Sequence, residues 1–269
     1  HGDTLHMVRY LPQLLAAGAR VTCEVQAPTL GLLRDSFPGV TFVARGEPLP
    51  QADLSVRLLS LPRLFATDLS NLPGEVPYLA ARPETAAQWR RRLDELAPRE
   101  ALRVGVVWGG SRTHRTDFLR SLGPADLAPL LTIPGASFFS LQFGERQGEG
   151  DAWPGSGGQA LIDLAPELGD FAHTAGAVTA LDLVVTVDTA TVHRAGALAR
   201  PTYLLLAAVP DWRWLLGRDD SPWYPGLTLF RQPRPGDWQA AVSAAAAAAA
   251  AAAPDLIDRR ERERQSEAA

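Results

Sequence analysis

Residues 181–201, LDLVVTVDTATVHRAGALARP, decide how this chain reads. Leu183 to Val187 form a short, nearly continuous β-branched run, which suits a strand covered on both faces. Asp188 and Thr189 stand where that strand ends. From Thr191 the composition turns small and helical, through His193, Ala195, Gly196, Ala197 and Leu198, and Arg200-Pro201 closes the segment. A strand end feeding a helix start presents free backbone N–H groups and a positive dipole end, where α/β proteins hold phosphates. Two local readings are open: a phosphate-binding corner, or a helix merely capped by Asp188 or Thr189.

The flanking sequence alternates in the same way. Leu5, Val8, Leu11, Leu14 and Leu15 recur at helical spacing and Gly18 supplies a stop. Strands are expected at 21–25 and 40–43, a helix around 30–37, and a third strand at 53–59. Residues 84–96 read as a charged amphipathic helix between prolines, a connection between two domains. Beyond it come a strongly buried strand at 102–108, a short helix at 127–131 and a strand at 137–141. A Gly-rich piece (144–158) follows, then a weak strand at 162–164, a helix at 171–180 and a strand at 203–206. Two such α/β halves imply parallel sheets and a cleft between domains 1–97 and 98–243. Gly2-Asp3-Thr4 has the character of a loop after a strand, so the first domain is expected to lack its first strand, cut from something longer. The alanine run 244–253 and the charged end to 269 are read as a tail that buries little and stays solvated.

Composition narrows the partners. A chain of 269 residues has room for two domains, and a net charge of -4 argues against nucleic acid. The single cysteine excludes an internal disulfide and suits a reducing, cytoplasmic setting. No segment reads as an integral membrane span, since the alanine run is only weakly apolar. GxGxxG, P-loop, GxSxG and HExxH motifs are missing, and five scattered histidines lack metal-ligand spacing.

Four polar clusters remain. Asp3, with Thr4 and His6, stands where a carboxylate could act as general base or cap a helix. The loop 109–121 carries Arg112, His114, Arg115 and Arg120, suited to a diphosphate or simply solvated. The corner at Asp188, Thr189 and His193 is the third. The fourth, 210–224, PDWRWLLGRDDSPWY, is either a stacking platform or a loop packed on its own domain.

GDTLHMVRYLP, LRVGVVWGG, the RS of DFLRSL, LAPELGDFAHTA, LDLVVTVDTATVHRAGALARP and PDWRWLLGRDDSPWYPGLTLFRQPRPGDW together resemble bacterial GT-B glycosyltransferases. More closely, they resemble the catalytic region found behind tetratricopeptide repeats, related to heptosyltransferases and more distantly to O-linked N-acetylglucosamine transferase. The resemblance runs from Gly2 to about Trp238. It implies two Rossmann-like domains and transfer of a sugar from a nucleotide-sugar to an acceptor hydroxyl, without a metal or other cofactor. The acceptor would be a protein, lipid or saccharide, and repeats would lie upstream.

By the same resemblance Asp3 is the base, with His6 beside it on the acceptor side. Arg120 and Ser121 hold the donor diphosphate, and Asp188, Thr189, Ala190, Thr191 and His193 form the donor corner. Gln142 would meet the donor base or ribose. Two positions depart from the family pattern: His6 stands where relatives carry Gln, and RTHRTDFLRS replaces an Asn-rich loop. An epimerase or hydrolase on the same scaffold, or a degenerate binding module, are the competing functions.

Overall fold

The computed structural model describes residues 1–268. The chain opens with helix α1 (Gly2–Met7), a 3-10 turn, and α2 (Leu11–Ala16). A first parallel sheet pairs β1 (Thr22–Val25) with β2 (Thr41–Ala44), joined through α3 (Leu30–Ser36). After α4 (Leu61–Leu64) comes α5 (Pro83–Leu96), whose Trp89 and Leu93 are buried. The second sheet contains β3 (Leu102–Val107), β4 (Ala136–Ser140), β5 (Leu161–Asp163), β6 (Leu183–Val187), β7 (Thr202–Leu206) and β8 (Leu227–Arg231). Its helices are α6 (Asp117–Arg120), α7 (Phe171–Thr179), α8 (Ala190–Ala197) and α9 (Trp238–Ala268).

All pairings in the second sheet are parallel and the strand order is β5-β4-β3-β6-β7-β8. The order reverses between β3 and β6, so the crevice beyond their C-terminal ends is where such a sheet accepts a ligand. β3, β4, β6 and β7 are buried along their whole lengths, as expected of a sheet covered on both faces. One core cluster runs from Leu5, Val8 and Leu32 through Trp89 to Val192 and Tyr224, so the two α/β units share apolar packing.

Four expectations change. Residues 53–57 form no strand, and only a 3-10 turn appears at Leu58–Ser60; Leu54 is 91% exposed and has no sheet to join. Gly2, Asp3 and Thr4 are helical rather than a loop, because α1 starts at once. β8 was not anticipated; it follows the Trp-rich loop and pairs with β7 along five residues. The largest change concerns the C-terminal end.

There, α9 is one continuous helix, long and apolar enough by length and composition to cross a membrane. Ala245, Ala246, Ala249 and Ala253 are buried against the second sheet's core. Alanine side chains let a helix approach closely, so the run specifies a seam where it was expected to specify nothing. Its charged end is anchored too. Arg260 donates to Asp182 Oδ2 (2.6 Å), Ala101 O (3.0 Å) and Arg99 O (2.5 Å). Arg264 reaches Asp94 on α5 at 2.6 Å, and Arg200 pairs with Glu263 at 2.9 Å.

Candidate functional site

Beyond the switch point lies a cleft of about 1050 Å³ lined from both units of the chain. Asp3, Arg120, Gln142, Asp188, Thr189, Ala190, Thr191 and His193 all line it. Ser121 and His6 do not.

On one wall, β3 runs into Trp108-Gly109-Gly110. The oxygen of Gln142 accepts from the backbone N–H of Trp108 (3.2 Å) and Gly109 (3.0 Å), and its amide nitrogen donates to Gly109 O (3.0 Å). Gln142 therefore shapes this loop and keeps one N–H for a ligand, a smaller direct role than the sequence suggested. Ser121 accepts from Gly110 N–H at 3.0 Å, which makes it a brace behind the loop. A Cβ on Gly109 would lie 2.5 Å from Arg146 Cδ, and one on Gly110 would lie 2.5 Å from Asp117 Oδ1. A side chain at either position would displace the Arg146, Asp117 and Arg120 groups that lie against this backbone.

Arg120 ties this loop to the opposite strand end. Its Nε donates to Asp117 (3.2 Å) and Nη1 to the Asp188 carbonyl (2.7 Å). The same Asp117, only 4% exposed, also accepts from Arg146 Nη2 at 2.6 Å, and Arg146 Nε donates to Gly110 O at 2.9 Å. Arg146 was not singled out from the sequence, since it sits in a Gly-rich stretch with no local motif. Arg112, expected among the diphosphate cations, pairs instead with Glu149 at 2.6 Å and is largely exposed.

At the end of β6, Thr189 caps α8: its backbone is extended and its hydroxyl accepts from Thr191 N–H at 3.2 Å. The cap and the phosphate corner are thus compatible, because one capped N–H leaves the other first-turn donors available. Burial pushes the Asp188 carboxyl up from the ordinary aspartate range.

His193 is 2% exposed and held from behind. Its Nδ1 lies 2.9 Å from the Tyr224 hydroxyl, which lies 3.2 Å from the Tyr78 hydroxyl. Tyr78 donates to Leu5 O (2.9 Å) and accepts from Arg9 Nη2 (3.0 Å). With the Tyr78 proton committed there, Tyr224 donates to Tyr78 and His193 Nδ1–H donates to Tyr224. We assign the tautomer on this count; it leaves Nε2 as the acceptor. Burial first, then the charge of Arg213, holds His193 well below the usual histidine range, so the ring is neutral.

Asp3 stands across the cleft, its carboxylate 2.8 Å from Arg213. Arg213 also pairs with Asp211 at 3.1 Å, so the Trp-rich loop clamps the start of α1. His6 does not share this place. It is fully buried, stacked on His193 with ring centroids 5.0 Å apart and edge-on to Trp223 at 4.4 Å. Helical spacing explains the split: Gly2 and His6, four apart, both face α8, while Asp3 faces the cleft. Burial, then the neighbouring His193, keeps the His6 ring neutral. Of the aromatic loop, Trp214, Trp223 and Tyr224 are core, and Trp212, 57% exposed, lines the cleft.

One more cleft residue escaped sequence reasoning. Arg194, on α8, is 6% exposed with its guanidinium over the Phe171 ring at 5.0 Å from the centroid. A basic residue after the expected helix start reads as surface charge; only the fold shows it turned inward.

No family model matches the chain. It is 30% identical over 180 residues to Protein FlbA of Caulobacter vibrioides, a match covering 63% of this chain and 28% of that protein. The chain thus spans little more than a quarter of this curated relative. Among solved structures it is similar to the ADP-heptose LPS heptosyltransferase II of E. coli, with TM-score 0.60, 16% identity, and 97% and 96% of the two chains covered. It is likewise similar to a glycosyl transferase family 9 structure from Veillonella parvula, with TM-score 0.60, 11% identity, and 96% and 95% covered. The likeness at these identities is one of fold, and the fold is the GT-B type, two parallel-sheet α/β units facing across a cleft.

Proposed function

We propose that this chain is the catalytic region of a glycosyltransferase that moves a sugar from a nucleotide-sugar to an acceptor hydroxyl without a metal ion. The carrying observation is the convergence at the switch point: Arg120 and the N-terminal end of α8 on one side, Asp3 on the other. The donor diphosphate would lie against Arg120 and the first-turn N–H groups of α8, which stabilise negative charge as the bond to the sugar breaks. The acceptor oxygen attacks the anomeric carbon, its proton passes to Asp3, and the nucleotide diphosphate leaves. Arg213 holds that carboxylate in position. Neutral His193, with Nε2 unprotonated, offers an acceptor to a sugar hydroxyl. The fold likeness to heptosyltransferases supports a nucleotide-sugar donor, and a match that covers only 28% of FlbA supports a unit set within a longer chain.

Calorimetry with nucleotides and nucleotide-sugars tests the donor half. Asp188→Ala and Arg120→Ala are expected to weaken binding, and unchanged affinity in both removes the assignment. Asp3→Asn is expected to lose turnover while keeping donor affinity; full retained rate excludes it as base. Release of free sugar or an epimer without acceptor, in place of transfer, would favour a hydrolase or epimerase.

A further inference from the structure

Four arginines line the cleft, and three are neutralised. Arg120 pairs with Asp117, Arg146 with Asp117 and Glu149, and Arg213 with Asp3 and Asp211. Arg194 is different. Among the described residues it has no carboxylate partner and no side-chain hydrogen bond, only the face of Phe171. Asp170, next to Phe171 and also in the cleft, accepts from His173 N–H at 2.8 Å and does not pair with Arg194. Burial lowers the Arg194 guanidinium to about 10, and no neighbouring carboxylate acts against it. The group remains charged at neutral pH, and a buried cation without a counter-ion is costly until an anion joins it.

Its position says what the anion meets. Arg194 stands four residues after Ala190, the first residue of α8, and therefore on the same helix face. Side chains on a helix lean toward its N-terminus, which carries a long guanidinium back to the level of the free N–H groups. Phe171, on which it stacks, is the first residue of α7. The α7 end is already capped by the Asp170 carboxylate, so the unpaired cation faces the one N-terminal end left open to negative charge, that of α8.

We propose that Arg194 is an oxyanion anchor of the cleft, binding a phosphate group of the ligand at the N-terminal end of α8. Resting on the nucleotide-sugar reading, that phosphate belongs to the donor diphosphate. Stacking on Phe171 keeps the planar fork oriented while no ligand is bound, so less order is lost on binding.

The test is calorimetric titration of the whole chain with pyrophosphate, with ADP, UDP and GDP, and with the matching nucleosides, for wild type, Arg194→Leu and Arg194→Lys. Arg194→Leu is expected to weaken the phosphate-bearing ligands about 30-fold or more, the scale for truncating one partner of a buried charge pair. Arg194→Lys should recover part of that affinity, and nucleoside binding should be unaffected. The ligand-free Leu variant should melt at or above the wild-type temperature, because an uncompensated buried charge is gone. Equal affinity of wild type and Arg194→Leu for a nucleoside diphosphate overturns the proposal and leaves the nucleotide reading standing. A fall in ligand-free melting temperature that accompanies weakened binding also overturns it, since that marks a structural role. Wild-type binding of pyrophosphate without any nucleotide, lost in Arg194→Leu, supports the anchor and removes the nucleotide reading. Binding of none of these phosphates by wild type overturns both.

Discussion

Replacing Arg260 by Met tests whether α9 is structural. The guanidinium is 4% exposed and makes three hydrogen bonds, to Asp182 Oδ2, Ala101 O and Arg99 O. Met keeps most of the volume, so the loss is electrostatic. It leaves Asp182, 2% exposed, with only the Arg103 backbone N–H as a donor, at 2.8 Å. Breaking a buried pair from one side costs about 3–5 kcal/mol. At about 2 °C per kcal/mol for a chain of this length, that is a melting shift of roughly 6–10 °C. Urea unfolding followed by tryptophan fluorescence reads it directly. Arg260→Met with Asp182→Asn should recover much of the loss, because Asn keeps the Arg103 contact without a buried charge. The deficit also has a pH signature. Burial already raises the Asp182 carboxyl above the ordinary aspartate range, and losing Arg260 raises it further. A carboxyl raised in the folded state costs stability above its folded value, and that cost disappears as pH falls toward the unfolded value. The gap between variant and wild type should therefore narrow on acidification. A loss below about 1 kcal/mol at neutral pH, in the range of an exposed pair, would mean that the charged end of α9 contributes as a solvated segment.

The remaining predictions concern the buried groups behind the cleft. His6 and His193 are both held well below 6.5, so the folded state binds fewer protons than the unfolded state once pH drops under that value. Stability should fall below pH 6.5 with a slope approaching about 2.7 kcal/mol per pH unit for two groups. Urea midpoints from pH 8 to 5.5 check this, and His6→Phe should halve the slope; a pH-independent midpoint refutes it. Tyr224→Phe keeps the ring but removes the acceptor for His193 Nδ1–H, at a cost of about 1–3 kcal/mol in chemical denaturation. No loss would break the proposed hydrogen-bond chain. In Gly196→Ala the new Cβ would lie 2.5 Å from Tyr224 Cδ1, an overpacking of about 1–3 kcal/mol that a melting measurement resolves.

Local pattern carried much of this protein. The β-branched run before Asp188, the switch to small residues after Thr191 and the stop at Arg200-Pro201 specify strand, corner and helix from neighbours alone, because those preferences are short-range. The corner at Asp188 and Thr189 was legible as a shape for the same reason, because one strand end and one helix start form it. What only the tertiary structure decided depends on partners distant in sequence. Asp3 meets Arg213 across 210 positions, and Arg260 meets Asp182 across 78. An alanine run carries no local sign of the sheet it packs against, and an arginine one turn into a helix carries none of facing a cleft. His6 and Asp3 are chemically plausible together in the sequence, yet helical geometry sends one into the core and leaves the other at the cleft. The strand, corner and helix were written in adjacent residues. Burial and charge pairing came only from packing between segments far apart in sequence, within the second unit as for Arg260 with Asp182 and between the units as for Asp3 with Arg213.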